Sequence, residues 1–64
     1  MKKYKIITYN MNPITYQKTI DKTFYYKTKK AFLNNIKKYW SLKNKRFFKA
    51  YELINNEYIL TMSL

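Results

Sequence analysis

The chain opens on alternation. From Lys3 to Asn10, Tyr4, Ile6 and Thr8 fall on one side of an extended backbone and Lys5, Ile7 and Tyr9 on the other. This β-branched and aromatic run predicts a strand over 3–10. Asn10-Met11-Asn12-Pro13 is turn chemistry, because asparagine tolerates unusual backbone angles and proline fixes φ. Alternation resumes over 14–27, with Ile14, Tyr16 and Ile20 on one side and Thr15, Gln17 and Thr19 on the other. Asp21-Lys22 is where this strand would break, leaving Thr23–Lys27 as its continuation or as a short strand of its own.

The period changes at Thr28, whose hydroxyl can accept a hydrogen bond from an otherwise unpaired amide in the first turn of a helix. Phe32, Leu33, Ile36 and Trp40 then recur at helical spacing and predict a helix over 29–42, with Trp40 seated in the core beside Ile36. Lys30, Asn34, Lys37, Lys38 and Ser41 point away from that face. Lys29 and Lys30 oppose the helix dipole, so stability alone would not select them at this end.

The last third predicts a hairpin of strands 46–54 and 57–63, turning at Asn55-Asn56, two residues able to take the positive φ of a type I′ turn. Such a turn pairs Leu53 with Tyr58, Tyr51 with Leu60, Lys49 with Met62 and Phe47 with Leu64. Seven of those eight residues are apolar or aromatic, which marks theirs as the core face. Phe48, Ala50, Glu52, Ile54, Glu57, Ile59, Thr61 and Ser63 fall on the opposite one, and a one-residue slip would lose the partition. The expected fold is α+β, a ββαββ domain with one antiparallel sheet and a single helix packed across one face.

Length and charge narrow the functional classes. With 64 residues there is room for one small domain. A domain of that size buries only about 60% of the surface its unfolded chain exposes, so a marginal monomer, or a homodimer that hides a sheet face or edge, is expected. Cysteine, histidine and glycine are all absent. That argues against disulfide frameworks, thiolate or imidazole metal sites, His- or Cys-based catalysis and glycine-rich phosphate loops. The expectation is a non-enzymatic protein without cofactor or metal. No stretch approaches the roughly 18 apolar residues of a membrane span, and the N-terminus does not read as a signal peptide, so a cytoplasmic location is expected.

Lys and Arg number 14 against 3 Asp and Glu, a formal net charge of +11. Abundant Lys, Asn, Ile and Tyr beside scarce Gly, Ala, Arg and Pro point to an AT-rich genome. Codon bias explains lysine replacing arginine, but it does not explain why Asp21, Glu52 and Glu57 are the only acids. A selected positive surface, suited to a polyanionic partner, does explain it.

The strongest candidate site is Lys27-Thr28-Lys29-Lys30, where amides, a hydroxyl and ammonium groups at a helix start can converge on phosphate. Lys37 adds charge from the polar face of the helix, and Lys43, Lys45 and Arg46 form a second cluster near Lys49. Arg46 is the one arginine of the chain and suits a bidentate phosphate contact. Tyr25, Tyr26, Tyr39 and Phe48 are the aromatics least committed to the predicted core and are candidates for stacking on unpaired bases. Glu52 and Glu57 are diagonal neighbours on one face, but nothing else converges on them to make an acid/base pair.

Phe24-Tyr25-Tyr26-Lys27-Thr28-Lys29-Lys30-Ala31, a strand followed by Thr-Lys-Lys-Ala opening a helix, resembles the strand-to-helix junction of phage-integrase arm-binding domains. Those domains read DNA with a three-stranded sheet. The resemblance covers these eight residues, without the family's preceding glycine and with an extra hairpin following, and it assigns no residue a role.

The leading expectation is therefore a small basic module that contacts the phosphate backbone of DNA or RNA through lysine clusters and aromatics. An alternative is an inhibitor from a phage or mobile element of an AT-rich bacterium. Such an anti-defence or anti-CRISPR-like protein would act in the host cytoplasm on a protein or nucleoprotein target. A second alternative is a secreted cationic peptide acting on membranes, which the alternating strands do not favour.

Overall fold

The computed structural model describes residues 2–40 and 47–63. In chain order these form β1 (Tyr4–Met11), β2 (Lys18–Tyr26), α1 (Lys29–Trp40), β3 (Phe47–Ile54) and β4 (Glu57–Ser63). The strands make one antiparallel sheet in the order β2-β1-β3-β4, with α1 across one face, which is the expected ββαββ arrangement. The predicted ends of the helix (41–42) and of the third strand (46) lie outside the described residues. No helix among the described residues is long and apolar enough to cross a membrane.

Local chemistry sets the element ends. Thr28 caps α1: its Oγ1 accepts from the Ala31 N–H at 3.3 Å and its carbonyl from the Phe32 N–H at 3.2 Å. Asn55 and Asn56 have φ of 50° and 64°, the two left-handed residues that a two-residue hairpin turn requires. The second strand starts at Lys18, not at residue 14 as the alternation predicted. Asn12 is the reason. Its Oδ1 accepts from the N–H of Ile14 (2.8 Å) and of Thr15 (3.3 Å), its carbonyl accepts from the Tyr16 N–H (2.8 Å), and its own N–H donates to the Gln17 carbonyl (2.9 Å). These bonds wind 12–17 into a closed loop with Tyr16 at φ 59°, and Ile14 and Tyr16 project into solvent.

The core face of the hairpin is the opposite of the expected one. Residues paired across strands share a face. β1 pairs Ile6 with Ala50 and Thr8 with Phe48, and the helix packs on that side. The core is Ile6, Phe48 and Ala50 under Phe32, Ile36 and Tyr39, joined by buried Thr8, whose hydroxyl donates to the Lys22 carbonyl at 3.4 Å. The apolar majority on the other face of the hairpin was therefore a misleading guide. What decides the burial of β3 is its register with β1, which inspection of the hairpin alone does not contain.

The helix face is also rotated from the expected one. Phe32, Ile36 and Tyr39 are buried, whereas Leu33 and Trp40 are exposed, Trp40 by 52%. Both stripes fit a helical period. Ring packing selects the buried one: Phe32 stacks on Tyr4 at 4.7 Å between centroids, and Tyr39 meets Phe48 at 6.0 Å. Trp40 touches Phe48 only edge-on, at 6.1 Å.

Two bulges adjust the sheet. The β1–β2 register shifts between Thr8 and Tyr9, which pair with Lys22 and Ile20 and leave Asp21 as the extra residue of a continuous β2. The hairpin keeps the expected Leu53–Tyr58 and Tyr51–Leu60 pairs but shifts between Ala50 and Tyr51, so Met62 pairs with Ala50 and Ser63, not Met62, with Lys49. Thr61 is the extra residue, and its Oγ1 donates to the Ala50 carbonyl at 3.2 Å. Met62 is thereby carried to the helix side. The expected Phe47–Leu64 pair lies outside the described residues.

Candidate functional site

The face of the sheet turned away from α1 has no layer over it among the described residues. Cross-strand pairing sets out its side chains in rows. Tyr25, Lys5, Tyr51 and Leu60 form one row. The next holds Thr23, Ile7, Lys49 and Ser63, and the third Ile20, Tyr9 and Phe47. Lys18 lies beyond, opposite Met11, and Tyr58 lies at the other end, opposite Leu53.

Each strand lysine of this face lies over aromatic rings. Lys5 Nζ is 4.7 Å from the centroid of Tyr51 and 4.6 Å from that of Tyr58. Lys18 Nζ is 4.4 Å from Phe47, and Lys49 Nζ is 5.7 Å from Tyr9. The negative face of a ring attracts an ammonium group, so these rings hold the lysines against the sheet surface. Glu52 and Glu57 are not on this face: Glu52 pairs with core-side Tyr4, and Glu57 with Ile54, two residues further along the same side of β3.

The tyrosines also brace one another. Burial raises the pKa of Tyr51, helped by the charge of Tyr9 and by a side-chain hydrogen bond with it. The rings of Tyr25 and Tyr58 come within 6.0 Å although their strands lie at opposite edges, so they lean toward each other over the central strands. Tyr58 is anchored by its hydroxyl, which donates to the Lys2 carbonyl at 3.0 Å. Exposed side chains occur at both ends of the face, Tyr25 and Leu60 in the first row and Ile20 and Phe47 in the third.

The residues proposed from sequence are dispersed. Lys27, Thr28, Lys29 and Lys30 are exposed at the start of α1, and the Thr28 hydroxyl is occupied by capping. Lys37 is exposed and lines a groove of about 310 Å³ with Ile36, Trp40 and Met62, between α1 and the edge strand β4. Lys43, Lys45 and Arg46 lie outside the described residues. Of the four stacking candidates, Tyr25 alone reaches the open face.

Tyr26, Tyr39 and Phe48 belong to the helix side, which corrects their reading as free aromatics. Tyr26 packs near Phe32 with its pKa pushed up to about 12, by burial first and then by the charge and hydrogen bond of Tyr39. Phe48 is fully buried. Tyr39 and Phe48 present no ring face on which a base can stack, and Tyr26 is half-buried against the helix side. The residues missed from sequence are Lys5, Tyr9, Lys18, Phe47, Lys49, Tyr51 and Tyr58. Their signal is lysine and aromatic residues alternating within strands, as in Phe47-x-Lys49-x-Tyr51.

Compared with protein-family models, curated proteins and solved structures, the chain matches none of them.

Proposed function

We propose that this protein is a non-enzymatic module that binds the phosphate backbone of nucleic acid through the open face of its sheet. The observation that carries the reading is the set of three lysines, Lys5, Lys18 and Lys49, held over aromatic rings on a face to which neither glutamate contributes. A lysine on a rigid strand loses less conformational freedom on meeting a phosphate than one on a mobile tail. The net charge of +11 supplies the long-range attraction, and the ammonium groups of these strand lysines supply the contacts. The exposed lysines at the start of α1, in the helix layer, contribute to the general field.

Fluorescence anisotropy of a labelled oligonucleotide across a salt series tests this. Three phosphate contacts to a single strand give a slope of log K against log salt of about −2, with further lysines steepening it. Absence of binding at low salt, or binding that salt does not weaken, would overturn the reading.

A protein target, as for a phage-encoded inhibitor, is the second reading. It is favoured by the groove of Ile36, Lys37, Trp40 and Met62, whose lining is almost wholly apolar and lies beside an edge strand.

A further inference from the structure

We infer that the nucleic acid this face takes is single-stranded, with unpaired bases stacked on its exposed rings; this rests on the function proposed above and narrows its ligand. Rings and charges alternate along the face. Exposed Tyr25 shares a row with Lys5, Lys49 stands in the row between, Phe47 follows, and Lys18 reaches over Phe47 from beyond. The rows of Tyr25 and Phe47 are separated by four residues of β1, or about 13 Å along the strand. A single strand carries bases and phosphates in the same alternation, and a chain of a few nucleotides spans that length. A duplex offers neither, since its bases stack on one another and, among the described residues, no element projects from this side of the sheet to enter a groove.

The lysines mark where bases go. An ammonium group over an exposed ring is a weaker partner than a stacked base, and the displaced lysine gains a phosphate. At Phe47 binding therefore exchanges the Lys18 cation–π contact for a stack and a charged contact, whereas Tyr25 offers its exposed ring directly. Phe47 with Lys18 is the clearest such pair, because both the ring and the lysine are exposed. Tyr51 and Tyr58 are more enclosed, with Lys5 over both, and serve to fix that lysine. RNA and DNA share this chemistry.

The experiment compares four probes of equal phosphate number on the unaltered protein: single-stranded DNA, single-stranded RNA, an abasic strand and a blunt DNA duplex. Either base-bearing single strand is expected to bind at least tenfold more tightly than the abasic strand and the duplex. Phe47→Ala should remove roughly tenfold of that preference while leaving abasic binding unchanged. Equal affinity for the abasic and base-bearing strands, or preference for the duplex, would overturn stacking and leave backbone binding standing. No binding of any probe would overturn the function itself. Sedimentation showing a dimer that excludes the oligonucleotide would assign the face to a second copy and overturn both, an association that +11 on each copy opposes.

Discussion

Replacing Phe48 by alanine is expected to abolish the cooperative unfolding transition. Phe48 is fully buried, sits opposite Thr8 on the central strand pair, and meets the rings of both Tyr39 and Trp40. Truncating a buried phenylalanine costs about 3–5 kcal/mol, the lost transfer energy plus the cavity left behind. At roughly 0.05–0.15 kcal/mol per residue, a chain of 64 residues has about 3–10 kcal/mol to lose. Trp40→Ala removes a larger side chain but one already half in water, and should leave the transition in place at a lower midpoint. Urea unfolding followed by far-ultraviolet circular dichroism separates the two. A transition retained by Phe48→Ala and lost by Trp40→Ala would mean the helix is seated on the other stripe.

The second large effect is on binding. Lys18→Glu with Lys49→Glu and Lys29→Glu with Lys30→Glu each lower the net charge from +11 to +7, so the overall field changes equally. All four side chains are exposed, so neither pair disturbs the core. A hydrogen bond to a charged group contributes about 1.5 kcal/mol or more, so losing both sheet lysines should weaken oligonucleotide binding roughly 100-fold at low salt. The helix-start pair should lose only what the weaker field takes away, about tenfold or less. Equal losses would mean that net charge alone governs binding. A larger loss from the helix-start pair would return the site to Thr28 and its neighbouring amides.

Those comparisons turn on what the sequence could and could not disclose. Strand alternation, the Thr28 cap and the Asn55-Asn56 turn are local, so the ββαββ order and the start of the hairpin pairing were legible. The identity of the core face was not. Seven apolar residues on one side of the hairpin outweigh Phe48, Ala50, Ile54 and Ile59 by simple count, yet β1 pairs Ala50 with Ile6, and the helix settles there. The two bulges were equally hidden, because one extra residue leaves composition unchanged while moving Met62 from one side of β4 to the other. The candidate site inherited the face error. With Phe48 taken as free and Phe47 as core, Lys49 fell on the presumed core face and Lys5 and Lys18 carried no role, and charge runs at the helix start drew attention instead. Cation–π pairing between neighbouring strands appears once the register is known.

The central claim is that the face away from the helix is where nucleic acid sits, and methyl NMR tests it most directly. Ile7, Ile20 and Leu60 report the open face; Ile6 and Ile36 report the core, and Met62 the groove beside α1. Titration with a short single-stranded oligonucleotide should shift Ile7, Ile20 and Leu60 while leaving Ile6, Ile36 and Met62 nearly unmoved. Shifts confined to Ile36 and Met62, with the open-face methyls unchanged, would contradict the claim and assign the contact to the groove.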